Sequence, residues 1–149
     1  MYEPMEATIR HAKFLAKYLN KCDVQYVIRI VLKETGMRSS QDGFFYAKNA
    51  VVRLRRNPYE TLRNGVYPAV GLLRDPVAGQ DEVEHGLRFS IKAAWKTRCI
   101  ELWSYYFPEG LPGSRKCPSN RDYLMAIVDF VELWQGCCEE VNCYESVKY

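Results

Sequence analysis

Two histidines are the residues of this chain with the most versatile chemistry, yet neither has a partner that would make it catalytic. His11 has no second histidine, cysteine or acid one helical turn away, which is where a metal-binding or catalytic pair on a helix would need it. His85 follows acids at positions 81, 82 and 84, and a solvated position near a helix start is the simpler interpretation. No Ser-His-acid set or phosphate-binding glycine loop is visible, so we expect neither an enzyme nor a cofactor.

Six cysteines are many for a chain in a reducing compartment, and zinc binding is the chemistry they could support. The candidate ligands are Cys117, Cys137, Cys138 and Cys143, which would have to converge on one tetrahedral ion. Adjacent residues point in different directions on a helix, and no Cys-x-x-Cys pairs or nearby histidine support such a site. We interpret the thiols as mostly buried and idle, and we expect no metal.

Four arginines form the one basic cluster dense enough to suggest a partner: Arg53, Arg55, Arg56 and Arg63. Nucleic-acid binding needs several phosphate contacts, usually with aromatic stacking or a basic groove, whereas arginines on one or two helices are more often a solvated rim. The net charge of +3 is mild. A helical nucleic-acid-binding regulator that uses this cluster is therefore the alternative function, while the main interpretation expects no nucleic acid.

The length of 149 residues predicts a single domain with a core that needs no metal or disulfide. No apolar run approaches the roughly 20 residues that a membrane-spanning helix needs, so no membrane anchor is expected. No basic-then-apolar leader opens the sequence. A cytoplasmic protein is expected.

Apolar residues recur at helical spacing along most of the chain, which predicts an all-α fold of about six amphipathic helices. Residues 23–35 also alternate like a strand, but Asp23 can cap a helix there and Gly36 can end it. Residues 82–107 carry the longest helical pattern and are expected near the centre of the bundle. The other predicted helices are 5–20, 44–56 and one that Ser119 and Asp122 cap; an acidic tail is predicted from about 137.

The stretch from 57 to 73 organises the functional interpretation. Asn57 is a good helix cap and Pro58 suits a first helical position, which predicts a helix start. Leu62 and Val66 lie four residues apart on one apolar side, and Gly65 leaves a surface without a side chain. A second helix could approach that surface closely.

Four segments, in chain order, resemble motifs of the Bcl family of apoptosis regulators. They are Leu32–Gly36 for the third homology motif, Glu60–Val66 for the first, Ile91–Thr97 for an Ala-Ala-Trp helix, and Asp129–Trp134 for the second. Another register would place the first motif in residues 81–95. The resemblance covers about two thirds of the chain and implies a Bcl-like bundle of six to eight helices around a buried central helix.

The resemblance also implies a function, an inhibitor of apoptosis that captures the death-motif helices of host pro-apoptotic proteins in an apolar groove. The degenerate motifs favour a compact viral member, acting in the host cytoplasm with recruitment to mitochondria through its partners. An open apolar groove favours self-association, so a homodimer is a further expectation. The expected groove residues are Phe45, Val51, Leu54, Leu62, Arg63, Asn64, Gly65, Val66, Tyr67 and Val70.

Overall fold

A computed structural model describes the backbone of residues 3–148 and the side chains of residues 5–142, and within these residues the chain forms seven α-helices and no strand. A π-helical turn at Leu62–Val66 leads directly into the fourth helix. The predicted all-α bundle is confirmed. The helices are α1 (Glu3–Leu19), α2 (Val24–Glu34), α3 (Asp42–Arg56), α4 (Tyr67–Gly71), α5 (Gln80–Thr97), α6 (Ile100–Tyr106) and α7 (Asn120–Lys148).

Local capping explains why residues 23–35 form a helix rather than a strand. The Asp23 carboxylate accepts a hydrogen bond of 2.7 Å from the backbone N–H of Gln25. At the other end, Gly36 adopts a left-handed φ of 95°, which brings the N–H of Met37 to 3.1 Å from the carbonyl of Leu32. This closing bond is typical of a helix that ends at glycine, and the prediction of α2 is confirmed.

The central helix of the bundle is α7, which contacts α1, α2, α3, α5 and α6. Its apolar side chains point to several sides, and the buried ones include Tyr123, Leu124, Ile127, Phe130, Val131 and Trp134. A helix buried on several sides must be apolar around most of its circumference. The segment predicted as the centre, 82–107, instead buries one face only, and the predicted acidic tail is the continuation of α7.

The predicted helix over 82–107 is interrupted at Arg98. This residue is extended (φ −60°, ψ 146°) and separates α5 from α6. Its guanidinium lies 3.5 Å from the centre of the Trp95 ring and donates a 2.6 Å hydrogen bond to the Trp95 carbonyl, so it caps the end of α5. The break lets α6 turn Trp103 and Tyr106 into the core.

The helix start predicted at Asn57 is wrong. Asn57 ends α3 in an extended conformation (φ −144°, ψ 87°), as expected for a residue before proline. Arg121 of α7 donates hydrogen bonds to the carbonyls of Pro58 (2.9 Å) and Glu60 (3.2 Å). Because a helix starting there would use these same carbonyls for its own ladder, the contact with α7 keeps residues 57–61 irregular.

The described cysteines show no metal centre. Cys137 and Cys138 are buried, Cys22 and Cys117 are half-buried, and Cys99 is exposed, all as free thiols; the side chain of Cys143 lies outside the described residues. Within those residues no three His, Cys, Asp or Glu side chains are grouped to hold an ion. In the same part of the chain, no helix combines the length and apolar character needed to cross a membrane.

Candidate functional site

Helix α5 is buried along one face and leaves the opposite face in solvent. Its exposed stripe consists of His85, Phe89, Lys92 and Lys96, at spacings of three and four residues, so all four side chains lie on one side of the helix. The Phe89 side chain is 65% exposed. The buried face consists of Val83, Leu87, Ser90, Ile91 and Ala94.

Glycines allow the neighbouring helices to hold α5 at very short range. A Cβ atom on Gly43 of α3 would lie 2.2 Å from Ser90 Oγ and 2.5 Å from the carbonyl oxygen of Gly86. A Cβ atom on Gly71 would lie 2.0 Å from the carbonyl oxygen of Ala78, inside the turn that joins α4 to α5. Since no real side chain tolerates such distances, glycine lets α3 pack directly against α5 and lets α4 pack against the turn that leads into α5.

The start of α5 is acidic and partly neutralised from within the chain. Arg63 lies 3.5 Å from Asp81 and 3.6 Å from Glu84, with all three side chains at least one-third exposed. Acids also suit the first turn of a helix, where the backbone N–H groups create a positive end. No ion pair is formed by Lys92 or Lys96 with any described residue, so the positive charge of the stripe is free for a partner.

A polar pocket of about 260 Å³ lies at the start of α3, and no residue of α5 lines it. Gly43, at the start of α3, packs against the side of α5 that carries Gly86 and Ser90. Arg74 forms an ion pair with Asp42 and lies over the Phe45 ring at 4.9 Å. Polar and basic residues around the pocket are Arg29, Ser39, Ser40, Lys48 and Arg74.

One flank of the stripe is formed by the loop between α6 and α7, which is hydrogen-bonded to α5. Arg88 donates to the carbonyl of Pro118 at 2.6 Å, and the Asn120 amide donates to the carbonyl of Glu84 at 3.3 Å and to the Tyr67 hydroxyl at 3.1 Å. Burial raises the pKa of Tyr67, so this hydroxyl stays protonated at neutral pH. A cavity of about 700 Å³ on this flank is lined by His85, Arg88, Lys116 and Arg121, among others.

The arginine cluster predicted from the sequence is largely paired with acids of this chain. Arg53 donates to Glu60 (2.9 Å), and this hydrogen bond lowers the pKa of the Glu60 carboxyl. Arg55 pairs with Glu132 on α7 at 2.9 Å, and Arg63 pairs with the start of α5. Arg56 is exposed.

The ten predicted groove residues do not line one open trench. A cleft of about 410 Å³ between α3 and α4 includes one of them, Val70. The nearest side chain to a Cβ on Gly65 would be Glu60, at 2.6 Å, and not a second helix. Five of the ten residues are buried and cannot line an open groove: Val51, Leu54, Val66, Tyr67 and Val70. Three are half-buried, namely Phe45, Leu62 and Gly65, and two are exposed, namely Arg63 and Asn64.

A family model described as "Sporulation initiation factor Spo0A C terminal" matches residues 28–131. The domain that defines this family is a helical DNA-binding domain of a sporulation factor. The matched region runs from α2 into α7 and contains the whole of α5 and the loop beside it. No curated protein matches the chain.

The match corrects the functional interpretation drawn from the sequence. The resemblance to the Bcl family is wrong, and with it the inhibition of apoptosis, the viral character and the death-motif partners. The expectation of no nucleic acid is also wrong. The four resembling segments are short. Three lie mainly in α-helices, and Glu60–Val66 covers irregular backbone and the π-helical turn. Apolar and charged residues at such spacings recur in helices of unrelated folds. The match favours the alternative function, a helical nucleic-acid-binding regulator.

The exposed stripe of α5 was missed because residues 82–107 were interpreted as a buried central helix. A signal was nevertheless present, since Phe89, Lys92 and Lys96 lie opposite Leu87, Ile91 and Ala94 on a helical wheel. An aromatic residue on the charged side of an amphipathic helix has no role in the core. That position was the signal that Phe89 lies in solvent.

Proposed function

We propose that this chain, which belongs to the family of the Spo0A C-terminal domain, binds duplex DNA and places the exposed stripe of α5 in the major groove. The chain would act by binding and not by catalysis. The observation that carries the proposal is the stripe of His85, Phe89, Lys92 and Lys96 on a helix whose other face is fixed by α3 and α4.

The dimensions of α5 suit this docking. A helix with its side chains is about 10–12 Å across and the major groove is about 12 Å wide. The 18 residues of α5 extend over about 27 Å. α4 precedes α5 as the first helix precedes the base-contacting helix of a helix-turn-helix unit, although residues 72–79 form a longer connection than the roughly three or four residues typical of that motif. In this position Phe89 can contact the methyl group of a thymine.

The free cations are placed to contact the phosphates. Lys92 and Lys96 continue the stripe toward the end of α5, and Lys116 lies on the flank formed by the loop before α7. A helix in a groove has a sugar–phosphate backbone on each side, so cations on and beside α5 would fix its register on the duplex.

The acids at the start of α5 favour selective binding over indiscriminate binding. Asp81 and Glu82 are exposed and would repel phosphates, which weakens attachment to arbitrary sequences. A carboxylate can accept a hydrogen bond from the amino group of cytosine. Glu82 is therefore the residue of α5 that we expect to select a base pair.

The test measures fluorescence anisotropy of labelled duplexes, first a random pool and then sequences selected from it, with the unmodified chain and two phenylalanine variants. Phe89→Ala should weaken binding of the selected duplex by about tenfold, as a lost base-edge contact does. The matched control is Phe14→Ala on α1, a 55% exposed phenylalanine outside the family match, which should leave binding unchanged.

The possible outcomes test DNA binding and the assignment of α5 as the contact surface separately. Absence of duplex binding even at 50 mM salt would overturn the function. Equal binding by the Phe89→Ala and Phe14→Ala variants would overturn the assignment of α5 as the contact surface.

A further inference from the structure

A separate cavity of about 450 Å³ lies between α1, α7 and the loop that follows α6. Its volume is in the range of small-molecule sites. None of its lining residues belongs to α5, so it is separate from the exposed stripe, although Pro112 and Asp122 also line the cavity beside α5. Apolar walls are formed by Met5, Leu111, Pro112, Met125, Phe130 and Leu133.

Two carboxylates line this cavity, whose remaining walls are apolar except for Thr8 and the Tyr106 hydroxyl. Asp122 and Asp129 are seven residues apart on α7, which puts them two turns apart on one side of the helix. Neither forms an ion pair with any residue that the structure describes. Both side chains are exposed, so the carboxylates lie at the rim of the cavity. Partial desolvation there raises the pKa of Asp129, and the charge of Glu132 adds to this effect. A cation beside Asp129 would offset both the desolvation of its carboxylate and the repulsion from Glu132.

Two aromatic rings form part of the cavity wall. Tyr106 and Phe130 both line the cavity, with ring centres 4.5 Å apart in an edge-to-face arrangement, and both side chains are buried. The Tyr106 hydroxyl is hydrogen-bonded to Glu34, so it is already occupied. The wall beneath the carboxylates is therefore apolar and closely packed.

We propose that this cavity binds a small organic cation, an ammonium or guanidinium group carried on a compact apolar body. The charged group lies beside Asp129, and the apolar body packs against Met125, Phe130 and Leu133. The two carboxylates disfavour anions, and a neutral apolar ligand would cover Asp129 without compensating its charge. The combination of walls and carboxylates therefore selects amphipathic amines.

The test compares 4-phenylbutylammonium with the neutral 4-phenylbutanol, which has the same apolar body, by following backbone amide shifts of the full chain in NMR titrations. The ammonium probe should bind at least tenfold more tightly than the alcohol, with shifts at Met125, Ala126 and Leu133. Asp129→Asn should abolish this preference. The control Glu139→Gln removes an exposed carboxylate further along the same helix and should preserve it.

A second variant tests the cavity itself. Ala126→Leu adds a larger side chain to the lining and should weaken both probes, while duplex binding by both variants stays unchanged. The proposal is overturned if neither probe shifts these residues at millimolar concentration, if the two probes bind equally, or if the preference survives Asp129→Asn. A loss of DNA binding in Asp129→Asn would contradict the independence of the two sites.

Discussion

Replacing both Lys92 and Lys96 by glutamine should reduce the salt dependence of DNA binding while leaving the fold intact. Both side chains are exposed on α5, and neither forms an ion pair with a described residue. Surface substitutions of this kind change the free energy of unfolding by about 0.5 kcal/mol or less. Any loss of binding would then come from the interface.

The magnitude follows from counting phosphate contacts. Each neutralised phosphate contributes about −0.9 to the slope of log K against log salt concentration, so two lysines contribute about −1.8. Between 50 and 200 mM salt, a fourfold change, this part of the slope corresponds to an affinity loss of about twelvefold. The unmodified chain should therefore lose about twelvefold more affinity over this range than the double variant.

The assay is fluorescence anisotropy with a labelled duplex at 50, 100 and 200 mM salt, with urea unfolding of each variant as a check on folding. The matched control replaces Lys13 and Lys21, which are exposed on the opposite part of the chain around α1 and lie outside the family match. The reasoning is refuted if the Lys92 and Lys96 variant keeps the slope of the unmodified chain, or if the control loses as much of it.

Three further substitutions test how the bundle supports this surface. Gly71→Ala should lower the free energy of unfolding by about 1–3 kcal/mol, because its Cβ would lie 2.0 Å from the carbonyl oxygen of Ala78. An unchanged free energy of unfolding, measured in urea, would contradict this. Ser90→Ala should raise that free energy by about 1 kcal/mol, because it removes a buried hydroxyl that has no partner among the described residues; a loss of stability would argue for a hidden hydrogen bond. Burial alone would raise the pKa of Glu34, but hydrogen bonds from His11 and Tyr106 outweigh it and lower the pKa from the ordinary 4.5. The contribution of the Glu34 carboxylate to stability is therefore fully present above pH 4.5, its ordinary pKa, and is lost as the pH falls through its lowered pKa in the folded chain. The melting temperature of Glu34→Gln should therefore decline less in acid than that of the unmodified chain.

Helix ends set by neighbouring residues could be predicted from the sequence. Asp23 accepts from Gln25, two residues away, and Ser119 accepts a 3.0 Å hydrogen bond from the N–H of Asp122, three residues away. Gly36 ends α2 because it can adopt a positive φ. Each of these features depends on a few adjacent residues, so the residue types are sufficient to predict it.

Similar local reasoning failed where residues distant in sequence compete for the same groups. Asn57 and Pro58 have the types of a helix start, but Arg121, 63 residues from Pro58, binds the carbonyl of Pro58. Arg55 looked like part of a basic patch, but Glu132 neutralises it from 77 residues away. No pattern within a short window contains such partners.

The sequence by itself determined that this chain is helical, because apolar spacing and caps act over three or four residues and survive in any packing. Only the tertiary structure decided which charges are free and which helix face meets solvent. Those properties depend on long-range contacts, as at Gly43 against Gly86, where backbone contact with α3 buries one side of α5 and leaves Phe89 and Lys92 outside. The DNA-binding proposal therefore rests on α5, a helix that the sequence identified but whose exposed side became known only from the folded chain.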